Sequence, residues 1–276
     1  MLPTSPPRSS SSSRRSPIPL ADRELADGHD PSAAVLRDIA LVATDVDGTL
    51  TRAGALDPRV VAVIPQLAAA GVEVVPVSGR PAGEVLGLCR YLPGVRRGLA
   101  ENGLLEVVPD RAPRWLDAPT DLARLVAAGE RLAREHDVAL QRTGDAFCRL
   151  GDVAYERDGM AVDALVTLRD AAEAMGVFLV WSNVHIHIAE RLPDKGASVL
   201  QLAREDGLAP RRVVTIGDAP NDAGLFVAGR FGLTVGTADV IDQRDVFPSL
   251  PDCVTRGRES DGFLELAALL LRTRAA

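Results

Sequence analysis

The sequence predicts an α/β protein, a doubly wound parallel sheet interrupted by an inserted α+β module. Three observations carry the prediction. Short apolar runs such as Ile39–Thr44 and Val213–Ile216 recur along the chain, as expected of strands buried on both faces. Helical stretches separate them, as right-handed crossovers between parallel strands require. Over residues 108–190 the alternation lapses into a different order of helices and paired strands.

Residues 1–37 contain Pro6-Pro7 and the serine run Ser9–Ser13 but little apolar content. Such a segment cannot bury enough surface to offset its ordering entropy, so a disordered tail is expected. Its Ser/Arg richness, with no acid before Asp22, faintly resembles a transit peptide, although an inert tail or a misplaced start is the favoured reading. The core then begins with a strand at Ile39–Thr44. Pro58–Ala70 reads as a helix stopped by Gly71, Val72–Val77 as a strand, and Pro81–Tyr91 as a helix ending at Leu92-Pro93-Gly94. In the insertion, Thr120–His136 and Ala161–Met175 read as helices. Ala146–Leu150 and Val153–Glu156 read as extended pieces around Gly151, and Val177–Trp181 and Val184–Ile188 as strands joined at Ser182-Asn183. Strands at Arg212–Ile216 and Phe231–Val235, a helix at Asp222–Ala228 between them, and a closing helix at Gly262–Arg272 resume the alternation. The expected division is a tail over 1–37, a core over 38–107 and 191–276, and an inserted cap over 108–190.

Composition narrows the function. The chain has 276 residues, 46% of them hydrophobic and only 4% aromatic, so its core must be built from Ala, Val and Leu. A net charge of -7 argues against a nucleic-acid binder, which presents a basic face. Cys89, Cys148 and Cys253 are odd in number and widely spaced, which suits buried thiols in a reducing cytoplasm and neither a disulfide framework nor a zinc site. The most apolar stretch, Val60–Val77, is broken by Pro65, Gln66, Gly71 and Glu73, so no membrane span is expected.

Of the 31 basic side chains, Lys195 is the one lysine. A compact ammonium retained where every other basic position is Arg suggests a crowded anionic site that a planar guanidinium does not suit. The anions stand at predicted strand ends, where ligands of open α/β sheets collect. Asp45-Val46-Asp47-Gly48-Thr49 follows the first strand. Two carboxylates so spaced can share one crevice, one attacking phosphorus and the other moving the proton of the leaving oxygen. Ser78-Gly79-Arg80 follows the second strand and offers a hydroxyl and backbone N–H to phosphoryl oxygens. Gly217-Asp218-Ala219-Pro220-Asn221-Asp222 adds two further acids. At an effective dielectric of about 20, each close charge pair is worth roughly 4 kcal/mol, so one ammonium cannot balance four acids and a phosphate. A divalent cation with all-oxygen ligation, Mg²⁺, is expected.

These motifs, in this order, resemble the haloacid dehalogenase superfamily over residues 38–275, and specifically its Cof-like, sugar-phosphate phosphatase branch with an α+β cap on a Rossmann-like core. The resemblance implies Asp45 as nucleophile and Asp47 as general acid/base with its backbone carbonyl on the metal. It implies Ser78 at the phosphoryl group and Lys195 stabilising nucleophile and phosphate; Gly79 and Arg80, beside Ser78, are candidate substrate contacts, Arg80 equally a partner for a core acid. Asp218 would ligate Mg²⁺, and Asp222, with Asn221, would hold the metal's waters and the loop. An acid at position 47 marks the phosphatases and mutases of that superfamily. The expected activity is hydrolysis of a small phosphate ester, a sugar phosphate first; a phosphomannomutase-like mutase and an idle sugar-phosphate sensor are the alternatives. Neither nucleic acid nor membrane is an expected partner, and the oligomeric state is left open.

Several residues stand as candidates for choosing the substrate. His185 and His187 face one side of a strand, read as an exposed face ahead of a sugar-binding one. Arg142 and Arg149 are candidates for a second anionic group; Asn102 is read as a turn with Gly103 ahead of orienting the crevice, and Trp115 and Trp181 as packing ahead of sugar platforms.

Overall fold

The structure, a computed structural model, describes residues 33–275. It begins with helix α1 (Ala33–Asp38), strand β1 (Leu41–Thr44), the hairpin β2 (Thr51–Arg52) and β3 (Ala55–Leu56), helix α2 (Pro58–Ala69), β4 (Glu73–Pro76) and α3 (Ala82–Tyr91). Three short antiparallel strands follow, β5 (Gly98–Ala100), β6 (Leu105–Val107) and β7 (Arg114–Trp115). The inserted module holds α4 (Leu122–Glu135), β8 (Val153–Glu156), α5 (Val162–Ala174), β9 (Phe178–Trp181) and β10 (His185–Ala189). The chain returns through α6 (Lys195–Glu205), β11 (Val213–Gly217), β12 (Leu233–Gly236), β13 (Cys253–Val254) and α7 (Glu259–Ala275).

The central sheet is parallel, in the order β13-β12-β11-β1-β4. Period-2 alternation sends Val42 and Val74 to one apolar layer and Leu41, Ala43 and Val75 to the other. The first layer lies under α2 and α7, with Val60, Ile64, Phe263 and Leu266, and the second under α6, with Val199, Leu202 and Phe226. Asp57 caps α2 by accepting from the Arg59 N–H at 2.8 Å, and Pro58 occupies the first helical position, where a missing N–H does no harm. From β1 the chain steps to β4 on one side, while β11, β12 and β13 extend the other. The crevice beyond the carboxyl ends of β1 and β11 is therefore the switch point.

The cap sheet is antiparallel, in the order β8-β10-β9. Leu125 and Leu132 of α4 and Leu165 and Leu168 of α5 cover one face, packing on Val153, Tyr155, Ile186 and Ile188. Gly129 admits the Tyr155 ring, whose hydroxyl would lie 1.9 Å from an added Cβ. His185 and His187 stand on the opposite face.

Several expectations need correction. Residues 33–37, assigned to the tail, form α1, whose Leu36 is buried and whose backbone is held by Arg274 of α7; the rest of the expected tail, 1–32, lies outside the described residues. Ala146–Cys148 is a 3-10 turn and not extended, because Cys148 N–H closes on the Asp145 carbonyl and Arg149 folds back onto the Asp145 carboxylate. The helix expected at Asp222–Ala228 is a 3-10 segment over Pro220–Phe226, tightened by Asp222 accepting from backbone upstream. β7, counted with the insertion, pairs with β6 through Leu105 and Trp115. No described helix is long and apolar enough to cross a membrane.

Candidate active site

The motifs after β1, β4 and β11 and the lysine at the start of α6 converge. Asp45 leaves β1 still tied to the sheet, its N–H donating to the Ile216 carbonyl at 2.9 Å. Asp218 follows β11. Lys195, at the first position of α6, extends its amine to Asp45 Oδ1 and Asp222 Oδ1, each at 2.6 Å. A cation at the positive end of a helix dipole is unfavourable, and Lys195 is fully buried; two carboxylates on one ammonium offset both costs. Oxygens of Asp45, Asp218 and Asp222 all lie within 4.8 Å of one another.

Local backbone makes this crowding possible. Gly48 turns with φ +84°, and a Cβ there would lie 2.3 Å from Asp218 Oδ2. Only glycine lets the loop after β1 pass so close to that carboxylate. Thr49 donates to Asp218 Oδ1 at 3.2 Å. Asp222 Oδ2 accepts from the N–H of Asp218 (2.9 Å) and Ala219 (3.1 Å), which folds the loop after β11 around the site.

The charges are not balanced. Burial, opposed by Lys195 and reinforced by Asp222 and Asp47, pushes the Asp45 carboxyl up to about 7. Burial, with Asp45 and Asp222 alongside, holds Asp218 well above the usual carboxylate range. Burial also works against the Lys195 charge, but Asp222 and Asp45 outweigh it and raise its pKa. Three buried carboxylates and one amine form an oxygen donor set short of positive charge, which fits a hard divalent cation.

Asp47 stands apart from that cluster. Arg80 grips its carboxylate through two contacts, Nη2 to Oδ1 at 2.6 Å and Nε to Oδ2 at 2.7 Å, and reaches Glu84 at 2.5 Å. Ser78 is buried, its Oγ accepting from the Arg80 N–H at 3.1 Å. Asn221 Nδ2 donates to Asn102 Oδ1 at 3.0 Å, so Asn102, read as a plain turn residue, belongs to the site's wall. Trp181 is a buried packing residue of the cap core, and Trp115 packs against the main core.

The cap contributes residues that the motifs did not announce. Asn183, at the β9–β10 tip, donates to Asp218 Oδ2 at 2.5 Å. Arg149 is buried, donating to Gly79 O at 2.9 Å, to Asp152 Oδ1 at 2.8 Å and to Asp145 Oδ2 at 2.8 Å. Its charge is thus matched internally, and it offers nothing to a second anionic group. Glu101 accepts from the N–H groups of Leu150, Gly151 and Asp152, clasping the cap loop to the core. Burial and Asp152 push the Glu101 carboxyl up to about 7, with those backbone donors working the other way. His187, expected on an exposed strand face, is 1% exposed and faces the Ser78–Arg80 turn. No local signal in the sequence ties Asp152 to His187 or Asn183 to Asp218, because each pair is 35 residues apart along the chain.

No protein-family profile matches the chain. Individual proteins do. The phosphoglycolate phosphatase of Methanoculleus marisnigri is 30% identical over 236 residues, covering 80% of this chain and 92% of that protein. That of Haloarcula marismortui is 28% identical over 238 residues, covering 81% and 94%. Among solved structures, a Thermoplasma acidophilum protein superposes with a TM-score of 0.68 at 20% identity, covering 84% of this chain and 99% of its own. Sucrose-phosphatase from Synechocystis, in complex with sucrose and phosphate, gives 0.62 at 16% identity, covering 83% and 97%. These two likenesses show the fold. The chain belongs to the haloacid dehalogenase superfamily and is a phosphoric monoester hydrolase.

Proposed function

We propose that the protein is a Mg²⁺-dependent phosphatase that works through an aspartyl-phosphate on a small phosphorylated metabolite, phosphoglycolate before others. The observation that carries the reading is the meeting of Asp45, Asp218, Asp222 and Lys195 at the switch point of the sheet. With one Asp45 oxygen held by Lys195, the other attacks phosphorus. A P–O bond to Asp45 forms and the bond to the leaving oxygen breaks as Asp47, exchanging its ion pair with Arg80, donates a proton. Asp47 then takes a proton from water, whose oxygen attacks the same phosphorus and releases orthophosphate with Asp45 restored. Ser78 and the Gly79 N–H bind phosphoryl oxygens. Asp45, Asp218 and the Asp47 carbonyl would hold Mg²⁺, with Asp222 supporting them, and when bound the metal neutralises phosphoryl charge.

Phosphoglycolate comes first because the relatives at 28–31% identity carry that activity in their names. The sugar-phosphate reading rests on the cap's architecture, and a fold does not fix a substrate. The odd number and wide spacing of Cys89, Cys148 and Cys253 support a cytoplasmic setting.

Asp45→Asn is the test. Hydrolysis of an aryl phosphate should fall by roughly 10⁴-fold or more with the melting temperature retained, and substantial residual turnover would reject Asp45 as nucleophile. Orthophosphate release from phosphoglycolate, hexose phosphates and sucrose phosphate then ranks the substrates.

A further inference from the structure

His187 forms the cap's side of the phosphoryl-binding turn. Its Nδ1 lies 2.8 Å from Asp152 Oδ2. An ionised carboxylate only accepts, so Nδ1 is assigned the hydrogen from that partner. Asp152 is itself held by Arg149 at one oxygen and, through its backbone N–H, by Glu101. The ring therefore has one orientation, and Nε2 makes no hydrogen bond within the described residues. Nε2 and Cε1 would each stand 3.0 Å from a Cβ placed on Gly79, with Asn102 Oδ1 at 3.2 Å from the same point. Asn102 Nδ2 is buried without a hydrogen-bond partner among the described residues. Arg149, three residues before Asp152, donates to the Gly79 carbonyl, so docking of the cap and placement of the imidazole over the turn are one event.

A ring fixed by a carboxylate at one nitrogen, and open at the other beside Ser78-Gly79, is arranged to meet an oxygen a few bonds from phosphorus. We propose that His187 is a specificity-determining residue, with Nε2 hydrogen-bonded to an oxygen on the substrate's leaving group, and that Asp152 is its positioning residue. The proposal rests on the phosphatase reading above. A substrate hydroxyl would donate to Nε2 of the neutral ring, and a carboxylate would accept from the ring protonated at both nitrogens.

The test compares wild type, His187→Ala, His187→Gln and Asp152→Asn on three esters in the presence of Mg²⁺. Phosphoglycolate carries a carboxylate, glycerol 3-phosphate carries hydroxyls, and the leaving group of 4-nitrophenyl phosphate has no oxygen near phosphorus besides the bridging one. His187→Ala should lower kcat/KM roughly 10- to 100-fold on the ester whose oxygen is read, and no more than about threefold on the aryl ester. The ester that suffers identifies the group as carboxylate or hydroxyl. Asp152→Asn should give a smaller loss with the same substrate pattern, which a merely structural role would not produce. Should His187→Ala fail to fold, His187→Gln provides the same comparison. Equal losses on all three esters, no loss on either oxygen-bearing ester, or a wild type that hydrolyses only the aryl ester would overturn the proposal. A wild type inert on all three would instead sink the phosphatase reading.

Discussion

Two buried charge clusters meet at the cap–core seam, and they are resolved in opposite ways. In the core, three carboxylates surround one ammonium that bonds Asp45 and Asp222, and burial holds Asp45 and Asp218 above the usual carboxylate range. In the cap, burial likewise works against Asp145 and Asp152, yet contacts from Arg149, joined by Thr143 and His187 respectively, hold both below it. Desolvation is of the same kind in both; the supply of donors and positive charge differs. A matched cluster fastens parts together, whereas one left short of positive charge is prepared for a cation and for chemistry.

The sharpest way to break this contrast is Lys195→Arg. The guanidinium keeps the charge but is larger and planar, and its site is fully buried. A displacement of about 1 Å at reacting groups costs on the order of 10²-fold in rate, so kcat/KM on an aryl phosphate should fall at least that far. Near-normal turnover would show that the core cluster needs only a positive charge.

On the cap side, Arg149→Met should destabilise the protein by ~3–5 kcal/mol, the penalty for leaving buried partners uncompensated. Both acids have folded pKa values below the ordinary 3.8. The stability they contribute is therefore present above about pH 4 and lost as pH falls through their lower folded values. Melting temperatures measured against pH should show the variant's deficit shrinking in acid. A deficit constant with pH would mean that Arg149 acts by packing alone.

The smallest effect sharpens the core side. With Asp45 at about 7 and Asp218 also raised, the cluster retains protons near pH 7 that a divalent cation must displace. Mg²⁺ affinity should therefore rise with pH toward and through about 7. Calorimetry in two buffers of different ionisation enthalpy should report release of roughly one proton per Mg²⁺. Proton-neutral binding would show that the empty cluster is already ionised.

The legible part of the site was the part encoded beside strand ends. Asp45, Ser78 and Asp218 follow apolar runs that register as parallel neighbours, so their convergence follows from the sheet once its order is given. Lys195 was legible by its rarity. The cap's contribution was hidden. Asp152 immediately precedes β8 and His187 lies on β10, whose register sets Ala154 opposite His187, and nothing within either segment announces the other. Arg149 read as a free cation because the 3-10 turn that brings Asp145 back onto it, and the bend that sets Asp152 beside it just before β8, were not foreseen by propensity.

By itself, the sequence determined the layered sheet and the acids along its edge, because strand burial and turn geometry depend on near neighbours. Tertiary structure alone decided which charges are neutralised and which are left wanting. That balance depends on side chains brought together from distant segments in a low-dielectric interior, where a single added or missing partner changes a group's protonation.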